Sequence, residues 1–129
     1  GVKDMFWPAP WDHQAAIDTI VAAKRANPAR IRNSLGGLDY VRRWPAYGGL
    51  DCWSGRVFAM VEPNGVVVPC DRISYASKPA NWRDVGVEAA LAQMPEPVCE
   101  GCGFCGSLEL NMLMAGRPAA LEPVVRLTR

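Results

Sequence analysis

The chain has no run approaching the roughly 18 consecutive apolar residues that a membrane helix requires, so no span is expected. Its N-terminus lacks the charged, apolar and small-residue regions of a signal peptide. Charge of one sign is missing as well, because 14 basic and 13 acidic side chains are interspersed and leave a net +1. Nucleic-acid binders carry a clustered basic face, so neither nucleic acid nor a membrane is an expected partner. The one tight basic cluster, Arg30, Arg32, Arg42 and Arg43, reads as solvated helix surface. Histidine is almost absent: His13 stands alone at a helix start and reads as solvent-facing, not as a ligand. There is no internal repeat and no low-complexity segment.

What is present is about one domain's worth of sequence, 129 residues, 50% hydrophobic and 21% charged. That supplies a modest core, and small domains often lean on a metal or on disulfides. The chain opens Gly1-Val2-Lys3 instead of with Met, which reads as a processed or cut end. Five cysteines is an odd number, whereas a secreted disulfide framework normally uses an even set. In a reducing cytoplasm, the expected location, clustered cysteines more often bind metal.

The local pattern predicts an α+β fold, a small domain with a β-hairpin over about 56–70 flanked by helices and a cysteine-bearing loop. Phe6 to Trp11 is Pro-broken and reads as an extended connection. Asp12 is placed to cap a helix over His13 to Ala26, with Ala16, Ile17, Ile20, Val21 and Lys24 as an amphipathic stripe. Lys24 and Arg25 suit its C-terminal dipole end and Pro28 stops it. A second helix starts at Ser34, turning Leu35, Leu38 and Val41 inward until Pro45. Gly36 and Gly37 should weaken it by up to about 1 kcal/mol each relative to Ala.

After the Tyr47-Gly48-Gly49 bend, Arg56 to Glu62 and Val66 to Cys70 read as two strands around Pro63-Asn64-Gly65. Asn-Gly is a strong hairpin signal because both residues tolerate positive φ. The first strand's mixed pattern predicts one buried face and one partly covered. Residues 71–85 read as irregular and Val87 to Met94 as a short helix. Cys99 to Gly106 is expected to be loop, and Ser107 to cap a last helix over Leu108 to Ala115, stopped by Gly116 and Pro118. The tail from Ala119 to Arg129 shows no strong pattern.

The cysteines fall into two groups. Cys52 and Cys70 stand at the two ends of the hairpin, with twelve residues between Cys52 and Gly65 and four between Gly65 and Cys70. Antiparallel strands lie about 4.8 Å apart, so residues distant in sequence become close in space. Cys99, Cys102 and Cys105 are each separated by two residues. That spacing sets neighbouring thiolates on one metal centre, with backbone N–H groups turned toward the sulfurs. Glycines at 101, 103 and 106 let the backbone approach closely. The two groups together point to a metal without identifying it, since four thiolates suit zinc as well as an iron–sulfur cluster.

Cys52-Trp53-Ser54-Gly55, then Val61-Glu62-Pro63-Asn64-Gly65-Val66-Val67-Val68-Pro69-Cys70, resembles the C-terminal SPASM or shorter twitch domain of radical S-adenosylmethionine enzymes. There a cysteine precedes a hairpin, a glycine sits at the turn, and a second cysteine follows four residues later. Cys99-Glu100-Gly101-Cys102 matches the family's Cys-x-x-Cys element, and Asn81 to Met94 resembles its linker helix. The likeness spans roughly Cys52 to Met112.

It implies one auxiliary [4Fe–4S] cluster on Cys52, Cys70, Cys99 and Cys102, with Cys105 as a spare or a substitute fourth ligand. A full SPASM domain has seven cysteines for two clusters, so five imply the twitch form. The Cys-x3-Cys-x2-Cys motif of the catalytic cluster is absent. S-adenosylmethionine would therefore be handled only through an upstream core, and this chain alone is not expected to be active.

In this reading residues 1–45 resemble the end of a radical enzyme barrel and its bridge, 46–116 the auxiliary-cluster domain, and 117–129 a tail. The implied partner is the upstream barrel, with a peptide or small-molecule substrate, and the cluster's work is electron transfer or substrate anchoring. The alternative is a structural zinc module for protein contacts. Glu109 and Asn111 read as surface residues of the last helix, Asp71 and Arg72 as a strand end or substrate contacts, and Trp53 as a shield for the cluster.

Overall fold

The structure is a computed structural model that describes residues 8–46, 48–70, 78–97, 99, 101–103 and 105–122, with only the backbone of Cys105. Its elements are α1 (Pro10–Ala26), α2 (Leu35–Arg42), β1 (Met60–Val61), β2 (Val67–Val68), α3 (Trp82–Val85), α4 (Val87–Ala92), α5 (Cys105–Met114) and a 3-10 turn (Pro118–Leu121). Helices around a two-stranded antiparallel hairpin make this a small α+β domain. Among the described residues, no helix is long and apolar enough to cross a membrane.

α1 begins earlier than the Asp12 cap would place it. Pro10 occupies its first turn and Ala9 is the N-cap without a side-chain bond, because proline's fixed φ already suits the first helical position. Asp12 lies within the first turn instead. Of the predicted stripe, Ile17 and Lys24 are buried while Ile20 is exposed. Lys24 is no dipole ornament: its Nζ donates to Ile31 O at 3.1 Å and pairs with Glu122 at 3.3 Å. His13 is part-buried, its Nε2 2.9 Å from Val41 O and its ring 5.3 Å from that of Trp44. The solvent-facing reading is thus corrected, since His13 fastens α1 to the end of α2.

Ser34 caps α2 as expected, accepting from Gly37 N at 2.8 Å. Gly36 and Gly37 serve close packing where the sequence reading saw only weakness. A Cβ at Gly36 would lie 2.7 Å from Ala119 Cβ, and one at Gly37 would lie 2.5 Å from Glu109 Oε1. Tyr40, Leu50, Leu108, Met112 and Ala120 form the buried core. One core therefore draws on residues from each of the segments 1–45, 46–116 and 117–129.

α5 starts at Cys105, so Cys105 and Gly106 belong to a helix and not to the loop, and Ser107 lies inside it. The physical reason is one-sided burial. Ser107, Leu108, Asn111 and Met112 are all buried, and their i, i+1, i+4, i+5 spacing sets them on one face. Gly116 ends the helix with φ +69, and Arg117 N donates to Met112 O at 2.9 Å, a glycine C-cap.

The hairpin pairs Met60 with Val68 and Val61 with Val67. Arg56 and Val57 lie in a turn instead of the first strand. Both residues of β1 are exposed and both of β2 buried, against the expectation of one buried face on the first strand. β2 has a second neighbour, for Val67 N donates to Ala80 O and Val66 bridges Asn81. Among the described residues, β1 is the edge strand.

At the turn, Gly65 N donates to Glu62 O and Glu62 N to Val66 O. Only Gly65 has positive φ, at +93. This is a three-residue loop, a type I turn followed by a left-handed glycine, rather than two positive-φ residues. Proline at 63 favours it, because its φ is fixed near the value of the first turn position. Asn81 and Arg83 clamp the turn through Asn64 O and Pro63 O. Gly86, with φ +84, separates α4, which takes up most of the predicted Val87–Met94 helix, from α3, a short helix within the stretch read as irregular. The irregular stretch and the tail fall partly in 71–77 and 123–129, outside the described residues.

Candidate metal centre

Cys52 is held by what surrounds it in sequence. Leu50 is buried in the helical core, and Arg117 donates to Gly49 O at 2.8 Å. On the other side, Trp53 N donates to Asn111 Oδ1 at 2.9 Å. Asn111 is fully buried, so the surface reading of this residue is corrected. Its Nδ2 is buried without a hydrogen-bond partner among the described residues. Glu109 is not a free surface residue either, as it accepts from Ser34 N and Ser34 Oγ, each at 2.7 Å. Trp53 is half-buried, with the Arg56 guanidinium 5.8 Å from its ring.

The approach of Cys52 to the hairpin is not the simple ladder the sequence implied. Two residues beyond the Met60–Val68 pair, strict pairing would set Phe58, not Cys52, against Cys70. A turn returns the chain instead: Val57 N donates to Trp53 O, Gly55 N donates to Phe58 O, and Ser54 bridges Phe58. Gly55 makes this possible, since its φ is +83 and a Cβ there would stand 3.3 Å from Pro69 Cβ. Cys70 then follows directly on Val67, Val68 and Pro69, all buried, and is itself buried.

The other arm is looser. Cys102 N reaches Tyr40 OH at 3.5 Å, the outer limit of a hydrogen bond. Cys99 is exposed and Cys102 half-buried. Cys105 has moved into the first turn of α5.

Cys52, Cys70, Cys99 and Cys102 are all thiols outside any disulfide. They are also electrostatic neighbours. The Cys99 thiol is pushed up from its ordinary value of 9.0, first by partial burial of its sulfur and then by Cys52, Cys70 and Cys102. Each neighbouring thiolate would add like charge, which disfavours ionisation at Cys99. The three segments therefore gather these four side chains into one locality. Among the described residues, no group of three or more His, Cys, Asp or Glu stands at the closer spacing of ligands round a single metal ion.

A cleft of about 510 Å³ opens at this place, lined by Asp51, Cys52, Arg56, Glu96 and Cys99 among others. Cys52 and Cys99 thus form the accessible edge of the group and Cys70 its buried side. The sequence reading missed Tyr40 and Ser54 and gave Asn111, six residues beyond Cys105 on the same helix, to the surface. Ser54 was legible as a polar residue two positions from a candidate ligand; Tyr40 comes from a distant helix and carries no local signal.

No family model, curated protein or solved structure matches this chain.

Proposed function

We propose that the chain carries one [4Fe–4S] cluster on Cys52, Cys70, Cys99 and Cys102, as the auxiliary, electron-transferring part of a radical S-adenosylmethionine enzyme whose catalytic core lies upstream. The observation that carries this reading is the electrostatic coupling of Cys99 to the other three thiols. The donor set fits the group: soft thiolates suit iron–sulfur clusters, and none of these four is committed to a disulfide. The orphaned Asn111 amide beside the Cys52 arm also fits an acceptor-rich neighbour. When bound, the cluster supplies a one-electron store at a potential set by its surroundings.

The chain's own residues would do the rest. Leu50 and Asn111 fix the Cys52 arm, and the buried Val67-Val68-Pro69 run fixes Cys70. Trp53, half-buried next to Cys52 in sequence, would shield one side from water. The cleft at Cys52 and Cys99 gives a peptide, a small molecule or the upstream barrel access to the exposed edge. Four thiolates leave no open iron, so electron transfer is favoured over substrate anchoring. A cytoplasmic, reducing compartment would keep the thiols in the state that binding needs.

Anaerobic reconstitution with iron and sulfide tests this. The expected product is brown, holds iron and sulfide in equal amounts, and gives the electron paramagnetic resonance of a reduced cubane. A colourless protein that takes zinc in preference would replace the reading with a structural zinc module.

A further inference from the structure

The cluster reading above assigns a role to Cys52 but none to the hydroxyl beside it. Ser54 Oγ lies 2.8 Å from Cys52 Sγ, and Ser54 is only 1% exposed. A hydroxyl so buried cannot turn to bulk water and needs a partner within the protein. In the neutral pair either atom can be the donor. A cysteine that ligates iron has given up its proton, so its sulfur can only accept. The direction of the bond is then fixed from Ser54 to Cys52.

We infer that Ser54 is a tuning residue for the cluster, its O–H donating to the Cys52 thiolate and raising the reduction potential. The inference rests on the cluster reading and adds to it. Reduction places one more electron on a core already rich in negative charge, and part of that charge is carried by the ligand sulfurs. A donor dipole fixed against one sulfur favours the reduced state more than the oxidised one, and hydrogen bonds to sulfur are an established lever on cluster potential. Hydrogen bonds to an ionised partner are also the stronger kind. The geometry is preset, because Ser54 sits between the Trp53–Asn111 bond and the Gly55–Phe58 bond and cannot drift from Cys52 without breaking them.

The experiment compares the reconstituted chain with its S54A and S54T variants by redox titration monitored by electron paramagnetic resonance. S54A should keep the cluster and titrate at a more negative midpoint, and S54T, which retains the hydroxyl, should titrate near the wild-type midpoint. A role in packing alone would lower thermal stability in S54A and leave its midpoint where it was, and that result overturns the inference. Should S54A fail to hold a cluster, S54T decides: loading at the wild-type midpoint supports the need for a hydroxyl, and failure to load overturns it. A wild-type chain that takes up no iron and sulfide is a separate result, visible before any variant is made, and it removes the cluster reading itself.

Discussion

The helical half and the cysteine-bearing half of this molecule are held together by different means. Around Tyr40, Leu108 and Met112, order comes from burial and from side chains that span long sequence distances, Glu109 to Ser34 and Glu122 to Lys24 and Leu35. Around the thiols, order comes from turns: a ladder of two residue pairs, a left-handed glycine, and a loop whose Cys102 N reaches Tyr40 OH at 3.5 Å. The first half carries its own stability. The second is shaped by local turns, and under the proposed reading a bound metal would add folding energy there.

Removing a buried thiol should separate the halves most clearly. Cys70→Ala is expected to abolish iron and sulfide uptake and to forfeit a metal contribution on the scale of about 10 kcal/mol. Hydrogen exchange should then show β1 and β2 opening while α2 and α5 stay protected. Retention of metal and of hairpin protection would show that Cys70 is no ligand.

In the other half, Leu108→Ala should cost about 3 kcal/mol, the usual range for emptying a packed leucine site. Chemical denaturation of the metal-free chain measures it. The loss should spread through α2 and α5 and leave the four thiols able to take iron, since none of the core side chains is a ligand. Gly36→Ala is a finer probe of the same core. Helix propensity alone predicts a gain of about 1 kcal/mol, but the new Cβ would stand 2.7 Å from Ala119 Cβ. Overpacking typically costs about 1–3 kcal/mol, so the net change should be a loss of about 1 kcal/mol. A gain would mean the 3-10 turn moves aside freely.

The smallest effect is a pH dependence of the metal-free chain. The Cys99 thiol is raised above 9.0 in the folded state. The unfolded chain therefore releases this proton first as pH rises, and stability present below pH 9.0 should fall as pH climbs through the folded value. Cys99→Ser should flatten that limb of the stability curve. An unchanged limb would mean that neither burial nor the neighbouring thiols raise the Cys99 thiol.

Much of the fold could be read from local pattern. Pro28, Pro45 and Gly116 mark stops, Ser34 is a cap, and Pro63-Asn64-Gly65 is a turn, each because a backbone preference acts within a few residues. The same locality explains the errors. Asp12 looked like a cap because the sequence does not say whether Pro10 will open the helix. Gly36 and Gly37 looked like weak points because their neighbours, Ala119 and Glu109, lie more than seventy residues away. Phe58, not Cys52, falls opposite Cys70 in the ladder, and only the turn at Gly55 brings Cys52 back.

By itself the sequence determined the classes of residue available: an odd set of cysteines at metal-like spacing, one histidine, balanced charge, and turn residues at the places where the chain must reverse. Those are matters of composition and short-range sterics. Tertiary structure alone decided that Asn111 and Tyr40 would reach the cysteine segments, that Lys24 would be buried against Glu122, and that Cys105 would enter a helix. Such pairings depend on which faces are buried against each other, and burial is settled only when the whole chain closes on a shared core.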